Sequence, residues 1–261
     1  MLDISVVIIT LDAELVIGPT LASTGFAREV VVVDSGSTDR TVEFCEKAGA
    51  RVISRQWSGY GPQKNFAIGQ ASCPWVLSLD ADEVVSSELA AEISALEDST
   101  PYAGFRIPRL NHYFGRGLRH GGQYPDLQLR LFRKSRGRFN TRPVHEAVEL
   151  DGAPGRLSGE ILHYSYASVD DYLQKFLRYT GLEAERLLAG GEKPTPGRLI
   201  TRLALAPLAK FVRRYFIKLG FLDGLPGFLA AIFTSFTMIA SYARFWDKYR
   251  SHSSGAQRPD R

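Results

Sequence analysis

Four short runs of apolar residues recur in the first hundred residues and are separated by amphipathic stretches. The runs predict buried β-strands at residues 4–11, 29–34, 50–54 and 75–79. The stretches between them predict helices at about residues 14–23, 38–47 and 63–69. Strands that alternate with helices are typical of a mostly parallel, Rossmann-like α/β sheet, in which ligands bind outside the carboxyl ends of the strands.

The pattern changes after a fourth predicted helix at residues 86–97. Residues 104–111 and 127–132 predict strands, and residues 169–189 predict an amphipathic helix. The segment between the two strands, NHYFGRGLRHGGQYPD, is rich in glycine, aromatic and basic residues. A long irregular segment inside a compact domain is usually functional or mobile, so we expect this one to take part in function.

The end of the chain has a third pattern. Residues 198–219 mix leucine, alanine and phenylalanine with recurring arginine and lysine, whereas residues 225–243 carry no charge. Nineteen uncharged residues are close to the minimum length that spans a bilayer. We interpret the two stretches as a helical hairpin lying on an anionic membrane surface. A full membrane span, or a helical pair packed on the domain core, is the alternative.

These patterns predict three parts. A catalytic domain covers residues 1–190, with a nucleotide-binding half at residues 1–100 and a second half at residues 101–190. A helical, membrane-associating extension covers residues 191–250, and residues 251–261 are expected to form a disordered tail.

Composition fits a globular protein, since 44% of the 261 residues are hydrophobic and 23% are charged. The two cysteines, Cys45 and Cys73, argue against a disulfide framework or a structural zinc site. Basic residues are concentrated in two places: residues 105–142 contain ten against one acid, Asp126, and residues 193–261 contain twelve against three. Such asymmetry favours anionic partners, although a solvated basic surface is the simpler explanation for any single arginine.

The strongest chemical signal is the acidic sequence Asp80-Ala81-Asp82-Glu83 directly after an apolar strand. Carboxylates this close repel one another unless a cation or a proton lies between them. A hard divalent ion such as Mg²⁺ or Mn²⁺ prefers oxygen ligands and completes its shell with substrate phosphates. The sequence therefore predicts a metal site here, with acidic residues at a helix N-terminus as the alternative.

A second signal follows the strand at residues 29–34, where Asp34 is succeeded by a turn rich in glycine and hydroxyl residues. Asp34 is placed to accept hydrogen bonds from a base or a ribose; an ordinary loop between a strand and a helix is the alternative. The sequence has no Walker pattern and no G-x-G-x-x-G pattern, which argues against ATPases and dinucleotide-binding enzymes.

Together these residues resemble family 2 glycosyltransferases of the GT-A fold. The resemblance rests on SVVIIT, then VVVDSGSTDRT, then Gln63-Lys64-Asn65, then the acidic strand end, and it covers about residues 4–84. The later PRL, GGQYPD, RLF, VHE and GFLDG segments resemble the subgroup that adds glucose to a heptose of the lipopolysaccharide inner core.

The resemblance implies that residues 1–100 are the nucleotide-sugar half and residues 101–190 the acceptor half of the catalytic domain, and it implies roles for particular residues. Asp34 and Asp39 belong to the nucleoside pocket, Lys64 lies near the donor, and Asp82 is the principal metal ligand with Asp80 assisting. The full set expected to bind the donor is Thr10, Asp34, Ser35, Gly36, Asp39, Lys64, Asp80 and Ala81. His163 is a candidate third metal ligand, although a histidine packed in the core is the commoner case.

An inverting transfer needs a base that removes the proton of the acceptor hydroxyl. Glu146 falls where the family places its acidic base, but the sequence there is His-Glu and not the commoner Glu-Asp. Asp126 is the rival candidate, and an ion pair with Arg142 is the structural alternative for Glu146. Residues 115–122, with Arg116 and Arg119, are expected to form a lid over donor and acceptor.

The sequence thus predicts an inverting, metal-dependent transferase that uses Mg²⁺ or Mn²⁺ and a UDP-sugar, with glucose the expected sugar. The expected acceptor is an anionic, lipid-linked saccharide at the cytoplasmic face of the inner membrane, and no nucleic acid is expected as a partner. Three alternatives remain open: a polyprenyl-phosphate glycosyltransferase, a nucleotidyltransferase and a non-catalytic sugar-nucleotide-binding membrane scaffold.

Overall fold

The structure is a computed structural model that describes residues 2–140 and 147–253. Its strands in chain order are Ile4–Thr10 (β1), Glu29–Asp34 (β2), Arg51–Ser54 (β3), Trp75–Asp80 (β4), Glu83–Val85 (β5), Gly104–Tyr113 (β6), Arg116–Gly117 (β7), Asp126–Arg133 (β8), Gly137–Phe139 (β9), Val148–Leu150 (β10), Pro154–Arg156 (β11) and Ile161–Tyr166 (β12).

The α-helices are Ile17–Ala22 (α1), Thr41–Lys47 (α2), Tyr60–Gln70 (α3), Ser87–Ser94 (α4), Val169–Ala189 (α5), Pro196–Ile200 (α6), Ala206–Val212 (α7) and Gly224–Ser253 (α8). Wider π-type turns at Thr201–Leu205 and Arg213–Ile217 adjoin α7 and make residues 196–217 one helical run, here called the amphipathic segment. A 3₁₀ turn at Gly220–Asp223 precedes α8.

The main sheet has the strand order β3-β2-β1-β4-β8-β6-β12-β5, with β7 and β11 paired to β6. Strands β3, β2, β1 and β4 are parallel to one another. From β4 onwards the strands pair antiparallel, first β4 with β8 and then β8 with β6. The sheet is therefore parallel in its first half and mixed in its second, as the change of pattern after residue 100 indicates.

Both faces of the parallel half are covered, which explains why β1 is buried along its whole length. Alternate residues of a strand point to opposite faces. Val6 and Ile8 accordingly pack in the core that contains Ile17 of α1, while Val7 and Ile9 pack in the core that contains Ala67 of α3. Continuous apolar runs, and not alternating ones, are what a strand buried on two faces requires.

The chain divides into two compact units. The first comprises residues 1–111 and 125–164, and the second comprises residues 112–124 and 165–261. The predicted glycine-rich segment thus groups with the C-terminal helices, and so does α5, which the prediction assigned to the catalytic domain. This grouping does not test domain function, and the predicted boundaries stay a prediction.

Within the second unit the glycine-rich segment is more regular than the sequence indicates. His112 and Tyr113 pair with β7 to form a tight hairpin. Phe114 and Gly115 both have positive φ in its turn. Further along, Arg119 stacks over the ring of Tyr124 at 5.1 Å. The predicted lid function is not tested by this geometry.

The predicted pair of C-terminal helices is present as the amphipathic segment and α8. Among the described residues, one helical stretch, Gly220–His252, is long and apolar enough to cross a membrane by length and composition. In the same unit, α8 packs along α5: Tyr172 stacks on Phe233 and Phe176 stacks on Phe236.

Candidate active site

Three strands end side by side at one edge of the sheet. Thr10 of β1 lies opposite Asp34 of β2, and Ile9 lies opposite Asp80 of β4. The parallel arrangement predicted from the sequence thus brings Thr10, Asp34 and Asp80 to the same edge, where α/β proteins bind ligands.

The carboxylate of Asp34 shapes the turn that follows it. It is buried and accepts hydrogen bonds from the backbone N–H groups of Gly36 and Ser37, both at 2.9 Å. Gly36 has a φ of +99°, a conformation that residues with a Cβ rarely adopt. Ser35 lies in the same turn, and its hydroxyl accepts a hydrogen bond from the Gln63 side chain at 3.2 Å. Asp34, Ser35 and Gly36 therefore form one fixed turn.

This turn is tied to the loop after β1. Asp12 accepts a hydrogen bond from the Thr38 backbone at 2.7 Å, and Asp39 accepts one from the Glu14 backbone at 3.0 Å. Asp39 also accepts from the backbone and hydroxyl of Thr41. Desolvation raises the pKa of the Asp39 carboxyl, but these hydrogen bonds outweigh it and lower the pKa overall. The two loops therefore hold each other in place.

Thr10 differs from its neighbours because its hydroxyl is unused. The residue is 5% exposed, and its Oγ1 has no hydrogen-bond partner in the part of the chain that the structure describes. Its carbonyl oxygen accepts from Ser35 N at 2.9 Å. A buried hydroxyl without a partner costs free energy, which makes it a candidate for contact with a ligand.

The first carboxylate of the acidic sequence is held by two cations. Asp80 Oδ1 lies 2.7 Å from Lys64 Nζ, and Asp80 Oδ2 accepts from Arg130 Nη2 at 2.8 Å. Desolvation by itself would raise the pKa of the Asp80 carboxyl, but the charges of Lys64 and Arg130 hold it well below its ordinary value. Lys64 is directed at Asp80, and its predicted place near the donor stays a prediction.

Glu83, the last residue of the acidic sequence Asp80–Glu83, is fully buried. Its Oε1 accepts from Arg109 at 3.1 Å and from Arg130 at 2.7 Å, while Oε2 accepts from Asp80 N at 3.0 Å. The crowding of carboxylates, which the sequence analysis attributed to a metal ion, is thus relieved for Asp80 and Glu83 by basic side chains.

Asp82 lies apart from that network. Its Oδ2 is 3.5 Å from His163 Nε2, and the ring of His163 is oriented by Asn111, whose Oδ1 lies 2.7 Å from Nδ1. Because a carboxamide oxygen only accepts, Nδ1 donates to Asn111, and Nε2 is the ring nitrogen that faces Asp82. Ala81, between the two aspartates, accepts a hydrogen bond from the Thr20 hydroxyl at 2.8 Å.

A cavity of about 480 Å³ opens beside Asp80. Three guanidinium groups line it, those of Arg106, Arg109 and Arg130, and Ala147 and Val148 form part of its wall. Arg109 and Arg130 also bind carboxylates, whereas Arg106 is exposed and forms no ion pair with any described residue. Among the described residues that line it, the cavity therefore has a surplus of positive charge.

Comparison with known proteins shows the family to which the chain belongs. The family model "Glycosyl transferase family 2" matches residues 5–147, which include the βα loops and the acidic sequence. The chain belongs to glycosyl transferase family 2. It is 31% identical to the lipopolysaccharide core biosynthesis glycosyltransferase LpsC of Rhizobium meliloti, over 95% of this chain and 93% of that protein.

Other relatives are consistent. An uncharacterized glycosyltransferase of Rickettsia typhi is 32% identical over 94% of this chain and 87% of its own length. Among solved structures, S. aureus TarS 1–349 in complex with UDP is 17% identical, with a TM-score of 0.48, and the match covers 98% of this chain and 93% of that one. The protein is a glycosyltransferase, and the predicted GT-A fold class, an α/β domain with a C-terminal helical extension, is confirmed.

The predicted metal ligands of this glycosyltransferase do not lie in one cluster. Within residues 2–140 and 147–253, no group of three or more His, Cys, Asp or Glu side chains is placed to hold an ion. Asp82 and His163 do lie together, and their facing oxygen and nitrogen are of the type that Mn²⁺ or Mg²⁺ accepts, with the remaining positions left to phosphate and water. The pair fits a metal, whereas Asp80 is engaged by Lys64 and Arg130.

The two candidate bases differ in what the structure shows of them. Both oxygens of Asp126 accept hydrogen bonds: Oδ2 from Arg109 at 2.7 and 2.9 Å, and Oδ1 from Gln128 at 2.6 Å. A proton taken from an acceptor would have to displace one of these donors. Glu146 lies outside the described residues, and so do His145 and Arg142, its predicted neighbour in an ion pair; the assignment of the base stays a prediction.

Sequence reasoning missed several residues of this glycosyltransferase. Gln63 and Asn65 flank Lys64 on α3; Gln63 supports Ser35, and Asn65 exchanges two hydrogen bonds of 2.8 Å with the Phe139 backbone. Three consecutive polar residues on a short, largely buried helix are a signal for this role. Arg109 and Arg130 were counted among the ten basic residues that favour an anionic partner, and they instead pair with carboxylates of the protein, among them the fully buried Glu83.

Proposed function

We propose that this glycosyltransferase transfers a sugar, glucose in the first instance, from a UDP-sugar to a heptose of the lipopolysaccharide inner core or to a similar anionic, lipid-linked acceptor. The transfer inverts the anomeric centre in a single displacement. It takes place at the cytoplasmic face of the inner membrane. The likeness to a lipopolysaccharide core enzyme over nearly the whole of both chains supports the class of acceptor.

The observation that carries the proposal is the basic cavity beside Asp80. Three cations and three carboxylates of the surrounding network balance one another: Lys64, Arg109 and Arg130 against Asp80, Glu83 and Asp126. Arg106 adds a charge that no described carboxylate neutralises. Guanidinium groups pair with carboxylates and phosphates in a bidentate manner, which suits an acceptor that carries such groups.

The donor half is supported by the fixed turns at β1 and β2. They leave one buried hydroxyl, that of Thr10, available to the nucleoside. We assign Thr10, Asp34, Ser35, Gly36 and Asp39 to the nucleoside side of the donor. Lys64, Asp80 and Ala81 then lie on the side of the diphosphate, at the end of β4.

A divalent ion would be held by Asp82 and His163, while Asp80 remains in its ion pair with Lys64. When bound, such an ion neutralises the charge that develops on the departing diphosphate. Asn111 orients the His163 ring so that its Nε2 faces Asp82.

We assign the base to Glu146, which immediately precedes Ala147 in the chain. Ala147 and Val148 line the basic cavity, and this supports a carboxylate from that stretch of chain acting on an acceptor hydroxyl. Removing the proton as the hydroxyl attacks makes the oxygen a better nucleophile. Asp126, whose oxygens are occupied, is the weaker candidate.

The experiment is a transfer assay with the full-length chain, a panel of UDP-sugars, Mg²⁺ or Mn²⁺, and truncated core lipopolysaccharide, read by mass spectrometry. The expected result is the addition of one hexose from UDP-glucose, in the inverted configuration by NMR. Glu146→Gln is expected to lose transfer and retain donor binding. Arg106→Ala is expected to raise the acceptor KM and to leave donor hydrolysis unchanged, whereas Arg138→Ala, at a site 79% exposed, is the control.

Two outcomes contradict the proposal. One is the absence of any hexose addition with every UDP-sugar tested. The other is glycosylation of a polyprenyl phosphate in place of the core saccharide, which would establish the alternative acceptor. Full activity of Glu146→Gln would reject the assigned base alone.

A further inference from the structure

The turn between the amphipathic segment and α8 is unusually apolar on its exposed side. We define the apolar turn as residues 219–225, whose large side chains are all substantially exposed: Leu219 45%, Phe221 44%, Leu222 48% and Leu225 67%. The one charged residue of the turn, Asp223, is buried. This is the reverse of an ordinary surface turn, in which charged groups face water and apolar groups face the core.

The exposed apolar surface continues along the amphipathic segment. Leu205, Leu208, Val212 and Phe216 recur at intervals of three or four residues and are 38–63% exposed. At such intervals, side chains lie on one face of a helix. The opposite side of this run packs within the same unit, where Leu199 and Leu203 contact the core around Phe245. The exposed row therefore belongs to a helical run that is packed against the protein on its other side.

Basic residues border this surface, and acids are missing from it. From residue 196 to residue 222 the sequence contains six lysines and arginines and no acid. The six are Arg198, Arg202, Lys210, Arg213, Arg214 and Lys218. Arg214 is turned inward, where its guanidinium donates to Gly121 O and to the Thr234 hydroxyl, and Arg202 lies 3.8 Å from Glu192; the other four form no ion pair with a described residue. An apolar row bordered by cations matches the interfacial zone of a bilayer that contains anionic lipids.

The inner side of the apolar turn is firmly held by the glycine-rich segment. Asp223 accepts hydrogen bonds from the backbone and the ring of His120, both at 2.8 Å. Gly121 N donates to Lys218 O at 2.7 Å, and Arg214 donates back to Gly121 O at 3.1 Å. A Cβ on Gly220 would lie 2.7 Å from Arg214 O, so only glycine fits there. The exposed side chains thus stand on a rigid base and not on a loose loop.

We propose that the apolar turn and the exposed row of the amphipathic segment form a bilayer-docking surface that inserts into the interfacial zone of an anionic membrane. The occupant is a bilayer and not a second copy of the chain. In a symmetric dimer the same patch meets itself, which would bring Arg198, Lys210, Arg213 and Lys218 of one copy against those of the other, and residues 196–222 contain no acid to compensate them. Docking by this surface is peripheral, and α8 does not need to cross the membrane.

This inference rests on the proposed function only in that a lipid-linked acceptor requires a membrane-bound enzyme. The experiment measures binding of the full-length chain to phosphatidylcholine vesicles with and without phosphatidylglycerol, by co-sedimentation. We expect binding that requires phosphatidylglycerol and weakens with salt. The double variant Leu222→Glu, Leu225→Glu is expected to bind at least about tenfold more weakly, because charges at these positions oppose insertion of the turn.

Leu15→Glu is the matched control, since Leu15 is 90% exposed in the other unit and is expected to leave vesicle binding unchanged. Because Leu222 and Leu225 are exposed, the double variant is expected to melt at the wild-type temperature. It should also retain transfer to a water-soluble, delipidated core oligosaccharide. If that activity is absent from the wild type as well while vesicle binding behaves as expected, the proposed function fails and the docking surface stands.

Three results would overturn the docking surface. The first is wild-type vesicle binding by the double variant. The second is a wild-type protein that resists extraction from membranes by alkaline carbonate, which would mean that α8 spans the bilayer. The third is a soluble wild-type dimer that the double variant converts to a monomer, which would make a second copy the occupant.

Discussion

The carboxylates at and after the end of β2 and those at and after the end of β4 are held by different kinds of hydrogen-bond donor. Asp34 and Asp39 bind backbone N–H groups and hydroxyls within a few residues of themselves or in the adjoining loop. Asp80 and Glu83 bind the charged groups of residues about 16 to 50 positions away in sequence, Lys64, Arg109 and Arg130.

The difference separates two parts of the site. The hydrogen-bonded loops after β1 and β2, with Asp34 and Asp39, are here called the frame, and the ion-paired carboxylates Asp80 and Glu83 with their basic partners are called the charged centre. Backbone N–H groups that donate hydrogen bonds fix the geometry of the loops after β1 and β2, and we expect these hydrogen bonds to stay the same when the UDP-sugar binds. Lysine and arginine side chains neutralise the charge of the carboxylates they bind. A buried carboxylate is therefore destabilising when its basic partner is removed. Asp82 belongs to neither group, since it faces His163, and this is why it is the best candidate for metal chemistry.

The largest expected effect comes from removing Asp82. Asp82→Ala should lower the transfer rate by about a thousandfold or more, because stabilisation of the leaving diphosphate by a metal is worth several kcal/mol. The circular dichroism melt should be unchanged, since the side chain supports neither the frame nor the ion-pair network. Asp82→Asn is the isosteric companion, and normal turnover with normal metal dependence in either variant would reject the role.

Removing Arg130 tests the charged centre itself. Arg130→Met should reduce the free energy of unfolding by about 3–5 kcal/mol, because it leaves the fully buried Glu83 with one cation fewer and Asp80 with Lys64 alone. Arg138→Met, at an exposed ion pair with Glu149, should change it by less than about 1 kcal/mol. Urea unfolding of the two variants measures the contrast, and equal losses would mean that burial does not distinguish the two ion pairs.

Asn111 tests whether the Asp82–His163 pair is an oriented metal site. Asn111→Ala should weaken Mn²⁺ binding by about 10- to 100-fold, the usual cost of losing the partner that orients a histidine ligand. Electron paramagnetic resonance of Mn²⁺ with UDP present measures this without reference to activity. Unchanged Mn²⁺ affinity would show that His163 is only a packed histidine.

The smallest expected effect separates a hydroxyl of the site from one of the frame. Thr10→Val should raise the donor KM about tenfold through loss of one hydrogen bond, while the melting temperature stays the same or rises, because the hydroxyl is unpaired in the protein. Thr41→Val removes a hydroxyl that binds Asp39 and the Ala13 backbone, so it should destabilise the fold by about 1–2 kcal/mol. A loss of stability in Thr10→Val would place Thr10 in the frame.

The frame was largely predictable from the sequence, and the charged centre was not. Continuous apolar runs predicted the four parallel strands, and an acid at the end of β2 and of β4 indicated the edge at which they meet. Strand β5 was missed because it has only three residues, and β9 to β11 were missed for the same reason.

The pairing of Arg109 and Arg130 with the acidic sequence depends on β8 and β6 lying next to β4, and no local pattern reveals that order. The ten basic residues that indicated an anionic partner therefore include two, Arg109 and Arg130, whose charge is neutralised by carboxylates of the protein itself. The surplus that remains, at Arg106 in particular, is smaller than the sequence count suggests, but it lines the cavity.

The hydrogen bonds between His120 and Asp223 have a practical consequence for handling the protein. They tie His120, from the middle of the sequence, to the turn that precedes α8, so the C-terminal helices are a structural part of the unit that contains the glycine-rich segment. A shortened chain that ends before Gly220, designed to improve solubility, would leave the backbone N–H and the ring of His120 without Asp223, the carboxylate that now accepts their hydrogen bonds. Detergent, and not truncation, is the route to a soluble and complete preparation.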